Sequence, residues 1–203
     1  MEQTKNRREL LMVVAGGKMY TFEDILALPE GERAELIDGE MFMMASPTRG
    51  HEDAAIWLSS NIFNYIQGKK GKCRVYVSNF AVFPKKDNKN YVVPDVTVVC
   101  DRDKLDNRGC NGAPDWVIEV VSPSSVKMDY ERKKKLYQES GVEEYWIVDL
   151  EKGRVKVYRF TEDVQERDYS LTDTVKVGIY EDLELDLRGL QEYLKGSADM
   201  GLI

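Results

Sequence analysis

The sequence predicts an α/β (α+β) architecture, a mixed β-sheet flanked by helices, and three observations carry that prediction. Short apolar runs of strand length at residues 116–121 and 144–149 bracket a segment of helical periodicity, so a strand feeds a helix that returns to another strand. Residues 155–160 alternate apolar and polar side chains directly after Lys152-Gly153, the pattern of a half-exposed hairpin partner. Residues 49–67 place His51, Ala55, Leu58, Ile62 and Tyr65 at spacings of four and three, the stripe of an amphipathic helix. A chain of 203 residues is long enough for one substantial core and short for two. That predicts a single domain over residues 19–195, with a flexible N-terminal extension over 1–18 and a C-terminal tail over 196–203.

Taken in order, Thr21 caps a short helix with Glu23 and Asp24 in its first turn, and Pro29 with Gly31 closes it after Leu28. Residues 34–45 read as two strands about Asp38-Gly39, a dipeptide that favours a tight hairpin turn. This helix and hairpin extend the core at its N-terminal side. Ser46-Pro47-Thr48 is the loop leading to the 49–67 helix, which Gly68 stops. Strands follow at residues 73–83, 91–100 and 116–121, separated by a polar turn through Lys85 to Asn90 and by a loop containing Gly109, Gly112 and Pro114. Ser122-Pro123-Ser124-Ser125 ends the third, a helix over 126–140 stops at Gly141, and the strands at 144–149 and 155–160 come next. Weaker alternation at 169–171 and 175–177 predicts further strand before a short helical tail.

A hydrophobic fraction of 42% and a charged fraction of 32% are ordinary for a water-soluble chain. No apolar run nears the ~18 residues needed to span a membrane, and no secretory signal is recognisable, which predicts a cytoplasmic protein. Cys73, Cys100 and Cys110 are odd in number and lack a Cys-x-x-Cys spacing, predicting reduced thiols rather than a disulfide framework or a zinc site. The net charge of −7 works against broad attraction to phosphate backbones. Positive charge is concentrated locally at residues 69–74, at Lys85, Lys86 and Lys89, and at 132–135; the simplest reading of such clusters is solvated loops and helix faces.

Two acids interrupt runs that otherwise read as buried strand: Asp95 in Tyr91-Val92-Val93-Pro94-Asp95-Val96, and Glu119 in Trp116-Val117-Ile118-Glu119-Val120-Val121. A buried carboxylate is costly unless paired, hydrogen-bonded or bound to a cation, so two in neighbouring strands point to a metal site. Oxygen ligands favour a hard ion, Mg²⁺ or Mn²⁺, completed by water, a backbone carbonyl and substrate phosphate oxygens, a composition suited to phosphodiester hydrolysis. On the following helix Asp129, Lys133, Leu136, Tyr137 and Ser140 share one face, which Leu136 and Tyr137 mark as inward. Lys133 therefore points at the sheet. It either assists attack on a phosphoester or runs along the core edge, paired with Asp129 one turn earlier.

The series Glu35-Leu36-Ile37-Asp38-Gly39-Glu40, His51, Val93-Pro94-Asp95, Ala113-Pro114-Asp115-Trp116-Val117-Ile118-Glu119-Val120-Val121-Ser122-Pro123-Ser124-Ser125, Asp129 with Lys133 and Tyr137, and Gly141-Val142-Glu143-Glu144-Tyr145-Trp146-Ile147-Val148-Asp149 resembles the PD-(D/E)XK nuclease superfamily. It is similar in particular to the Uma-like restriction endonucleases, over residues 20–195. The resemblance implies a restriction-endonuclease-like core and a Mg²⁺-dependent (or Mn²⁺-dependent) endonuclease acting on DNA. It also implies Asp95, Glu119 and the main chain of Val120 as metal ligands, with Lys133 as the catalytic lysine. The superfamily's usual lysine lies two residues after the second acid, where this chain has Val121, and Lys133 on the next helix is its substitute.

Glu35 is a candidate for an extra acid brought to a metal-bound water, with Glu40 as its competitor; both also read as hairpin surface residues. His51, the lone histidine, is either a hydrogen-bonded core residue or a member of the site. Asp115 and Asp149 read as turn or cap residues, and Trp116, Tyr145 and Trp146 as core or dimer-interface aromatics. Cutting both strands of a duplex predicts a homodimer. Nothing predicts an organic cofactor or a membrane partner. The rival readings are a non-catalytic nucleic-acid-binding or interaction protein on the same scaffold, and a metal-dependent hydrolase of RNA or a small phosphoester.

Overall fold

The computed structural model describes residues 18–161 and 163–199. The N-terminal extension expected over 1–18 lies outside them except for Lys18, as do residues 200–203 of the expected tail. Helix α1 (Phe22–Leu26) follows Thr21, whose backbone N–H donates to Asp24 Oδ2 at 2.9 Å, half of the expected capping arrangement. Strands β1 (Ala34–Ile37) and β2 (Glu40–Met43) pair antiparallel about Asp38 and Gly39, whose φ values of 49° and 78° are those the Asp-Gly turn requires. Helix α2 (Arg49–Gly68) starts at Thr48, whose Oγ1 accepts the His51 N–H at 3.3 Å, and buries Ala54, Ala55, Leu58, Ile62 and Ile66.

Then come β3 (Arg74–Val77), β4 (Val82–Phe83), β5 (Val96–Val99), β6 (Leu105–Asp106), β7 (Gly109–Asn111) and β8 (Trp116–Val120). A π-helical segment, Met128–Lys133, runs into α3 (Lys134–Ser140), which ends at Gly141 in the left-handed region (φ 90°). The chain continues through β9 (Glu144–Asp149), β10 (Arg154–Arg159), β11 (Gln165–Ser170), β12 (Thr174–Lys176) and β13 (Glu184–Asp186) to α4 (Leu187–Asp199), which passes the boundary expected at 195.

The central sheet has six strands in the order β11-β10-β9-β8-β5-β3. Its one parallel pair, β8 with β9, is joined through the π segment and α3; all other neighbours are antiparallel, so the sheet is mixed as predicted. Alternation along β8 sorts side chains between two cores. Trp116, Ile118 and Val120 pack on the α2 side, while Val117 joins Met128, Leu136, Tyr137, Tyr145 and Ile147 on the other. Trp116, Tyr145 and Trp146 are fully buried, which makes them core residues.

Three expectations are corrected. Residues 73–83 are not one strand: β3 stops at Val77, the Ser78 N–H still reaches the Asp95 carbonyl at 3.1 Å in the same register, the chain then turns with the Phe80 N–H on the Val77 carbonyl at 3.2 Å, and Val82 pairs with β7 in a separate small sheet. The 91–100 strand is reduced to Val96–Val99, preceded by isolated bridges at Tyr91 and Val92. Cys73 and Cys100 form a disulfide, and only Cys110 is free among the three. Continuing the β3–β5 register one step beyond Arg74 and Val99 sets these two cysteines opposite each other, a proximity their separation of 27 residues conceals.

Glu144 shows what a structural acid looks like in this fold. It is 1% exposed, and its carboxylate accepts from Trp146 Nε1 at 2.7 Å, Gly178 N at 2.5 Å and Ile179 N at 3.0 Å. Glu144→Ala strands these donors and is expected to lower stability by about 1–3 kcal/mol, read as a shift of the urea midpoint. An unmoved midpoint would show that the 178–179 turn is held by other contacts.

Candidate active site

The β5–β8 register aligns Val96 with Ile118 and Thr97 with Val117, so one further step sets Asp95 opposite Glu119. Asp95 sits just before β5 begins. Its Oδ2 accepts the Val120 N–H at 2.7 Å, which replaces a ladder bond and fixes the carboxylate over β8. Its Oδ1 meets His51 Nε2 at 2.9 Å from the first turn of α2. Because a carboxylate only accepts, Nε2 carries the hydrogen of this bond. Burial would lower the His51 pKa, but the hydrogen bond to Asp95 and its charge outweigh burial, and the net direction is upward. His51 thus serves as a holder of Asp95, while its Nδ1 is buried with no partner among the described residues.

Glu119 projects to the opposite side of the sheet from Ile118 and Val120, toward the π segment and α3. Its Oε1 accepts from Lys133 Nζ at 3.0 Å and from Tyr137 Oη at 2.7 Å. Lys133 also lies 2.9 Å from Glu35 Oε1 and 3.9 Å from Asp129 Oδ1. Glu35 is anchored from β1 by the Val93 N–H, 2.9 Å from the same Oε1, and Asp129 by the Ser125 hydroxyl at 2.6 Å. The π winding of residues 128–133 seats Asp129 and Lys133 on the inner face just before Tyr137 enters the α-helical turn. Helical segments of this kind recur at functional sites.

Burial decides the electrostatics. Glu35, Glu119, Asp129 and Lys133 are 4%, 3%, 2% and 5% exposed, so three buried carboxyls face one ammonium, with Asp95 adjacent. Burial drives the Glu119 pKa well above the usual carboxylate range against the opposing pull of Lys133, and neighbouring Asp95, Asp129 and Glu35 add to the rise. Burial likewise pushes Asp129 up to about 7. For Lys133 burial acts downward, yet Glu119, Glu35 and Asp129 outweigh it, so the ammonium stays charged. Unlike Glu144, these acids outnumber the positive charges that could balance them. Four acids clustered about one lysine cost stability, and a cation would relieve the excess.

All the residues expected at the site, Glu35, His51, Asp95, Glu119, Val120 and Lys133, are brought together. Glu35 corrects the hairpin-surface reading: it is buried, whereas Glu40 is exposed and pairs with Arg132 at 2.6 Å. Asp129 and Tyr137, which the motif series includes without a catalytic or metal role, join the site as well. The helical phase that placed Lys133 inward also carried both. Asp115 and Asp149 stand at strand ends and bind main chain: Asp115 accepts from the Cys100 N–H at 2.7 Å, and Asp149, the last residue of β9, accepts from the Lys152 N–H of the following turn at 3.0 Å. Much of the local basic charge is answered by acids: Lys85 pairs with Asp38 and Glu139, and Lys69 with Asp182.

Among the described residues no three His, Cys, Asp or Glu side chains converge as a ready-made metal cage. The donor set nonetheless fits Mg²⁺ or Mn²⁺, because such ions take one or two carboxylates and keep waters and substrate oxygens for the rest. Asp95 and Glu119, opposite each other on adjacent strands, are the residues that would supply that pair.

The crystal structure of a protein described as a putative nuclease from Anabaena variabilis shares this fold, with a TM-score of 0.69 and 22% identity over 86% of this chain and 98% of that one. A Synechocystis protein described as uncharacterized is 28% identical over 134 residues, 65% of this chain and 68% of that protein. No helix among the described residues is long and apolar enough to cross a membrane. A family model matches residues 22–192, and the chain belongs to that family, Uma2, described as putative restriction endonuclease.

Proposed function

We propose that the protein is a Mg²⁺- or Mn²⁺-dependent endonuclease that hydrolyses DNA phosphodiester bonds. The observation that carries this reading is the buried excess of acid around Lys133, opposite the cross-strand pair Asp95 and Glu119. No packing requirement calls for such a cluster; a divalent cation would neutralise its excess negative charge, and the cation together with the Lys133 ammonium would then receive a phosphate. Family membership supports the same reaction class.

In this reading Asp95, Glu119 and the Val120 carbonyl hold the ion. When bound, it supplies Lewis-acid stabilisation of the phosphoryl oxygen and acidifies a water molecule. His51 keeps Asp95 aimed, and Glu35 and Asp129 hold the Lys133 side chain beside Glu119. The Lys133 ammonium offers hydrogen bonds to the negative charge that grows on the phosphoryl oxygens as water attacks. A homodimer acting in the cytoplasm is the working form we propose, since two copies about a twofold axis reach both strands of a duplex.

Supercoiled plasmid, a single-stranded DNA oligonucleotide and an RNA oligonucleotide, each with Mg²⁺ and with Mn²⁺, test the proposal. Wild type is expected to nick DNA, and Asp95→Ala and Glu119→Ala to lose nicking while remaining folded. Preferred cleavage of RNA would move the substrate class. DNA binding that ignores metal and both substitutions, with no cleavage, would overturn the enzyme reading in favour of a binding protein.

A further inference from the structure

Tyr137 lies one helical turn after Lys133 and is fully buried, yet its hydroxyl ends 2.7 Å from the oxygen of Glu119 that Lys133 also contacts, at 3.0 Å. A phenol has one hydrogen to donate, and here it goes to Glu119. Both donors fall on Oε1, and Oε2 receives none from the described residues. The two donors are not equivalent. Lys133 shares its ammonium among Glu35 at 2.9 Å, Glu119 at 3.0 Å and Asp129 at 3.9 Å, so it does not by itself fix the rotation of the Glu119 carboxylate. The tyrosine ring packs edge-on to Tyr145 with centroids 5.0 Å apart, so its hydroxyl is held at one place.

We infer that Tyr137 is a positioning residue that fixes the rotation of the Glu119 carboxylate, so that Oε2 stays available to a divalent cation. The inference rests on the proposed metal-binding role of Glu119 and goes beyond it by giving that ligand a dedicated orienting partner. Groups that hydrogen-bond a metal's ligands typically set 10–100-fold of its affinity.

The test is titration of the full chain with Mn²⁺ alone, by calorimetry, comparing wild type, Tyr137→Phe and Tyr145→Phe. Tyr145 is an apt control: it is equally buried in the same core, and its hydroxyl donates to the main-chain oxygen of Asp129 at 3.0 Å rather than to a carboxylate. Tyr137→Phe is expected to raise the Mn²⁺ Kd about tenfold or more, with Tyr145→Phe close to wild type. Equal weakening by both substitutions, or none by Tyr137→Phe, overturns the inference. If Tyr137→Phe proves too unstable to titrate, Glu119→Gln in the wild-type background decides. It keeps the Tyr137 bond and removes the charge, so a Kd unchanged from wild type would show that Glu119, and with it Tyr137, has no part in binding. Wild type that binds no Mn²⁺ would instead strike at the proposed function itself.

Discussion

Lys133→Met is expected to abolish cleavage and to lower stability by about 3–5 kcal/mol near neutral pH, the usual cost of removing one partner from a buried ionic cluster. Methionine reproduces the length and much of the volume of the lysine stem, so the loss isolates the ammonium rather than a cavity. Among the described residues that ammonium is the only cation within 4 Å of Glu35 and Glu119, and without it both face burial with no balancing charge. The deficit should shrink on acidification, because protonating the carboxyls removes the repulsion the lysine was balancing. Lys133→Arg separates the two effects. It restores positive charge and should recover part of the stability, but a planar guanidinium cannot reproduce the lysine's approach and should leave cleavage low. Urea midpoints of the three proteins at neutral and acidic pH, beside plasmid nicking, check both statements. A Lys133→Met protein as stable as wild type at neutral pH would show that the acids are held in their protonated form without help from the lysine.

Much of this centre was legible because two periodicities carry it. A period of two along residues 116–121 put Glu119 on the face away from Ile118, and helical phase over 126–140 turned Lys133 inward with Leu136 and Tyr137. Opposition of Asp95 and Glu119 then needed only neighbouring antiparallel strands. What stayed hidden depends on contacts between distant segments. Glu35 has an apolar residue on either side in a four-residue strand, and nothing local says that this strand is buried on every position; its partner is Val93, 58 residues away. The chain turns after Ser78, where the Phe80 N–H closes on the Val77 carbonyl, although Val82 and Phe83 continue the same apolar run. Cys73 and Cys100 face each other only because β3 and β5 pair in one register out of several that apolar strands permit. The π winding of 128–133 leaves no mark that helical phase alone could reveal.

Stability in the absence of metal should fall as pH rises from about 4 to about 7, and divalent cation should remove most of that slope. Burial lifts Asp129 from 3.8 to about 7, so the folded state binds this proton more tightly than the unfolded chain does. A carboxyl raised in this way contributes stability that is fully present below its unfolded pKa and is lost as pH rises through its folded one. Three pH units correspond to roughly 4 kcal/mol, and Glu119, shifted in the same direction, adds to the trend. Acids shifted downward, such as Asp149 beside Lys152, oppose it only at the acidic end. Mn²⁺ would compete with the proton for Glu119, and its charge would disfavour protonation of neighbouring Asp129, so its affinity, and the rise in Tm it produces, should be larger at pH 8 than at pH 5. Thermal unfolding from pH 5 to 8, with and without millimolar Mn²⁺, reads both effects. Asp129→Asn should flatten the metal-free slope because an amide cannot titrate, while Asp95→Ala should keep the slope and lose the Mn²⁺ shift. A metal-free Tm that climbs steadily from pH 5 to 8, or a Mn²⁺ shift independent of pH, would mean that these carboxyls are already ionised in the folded protein and that the lysine alone balances them.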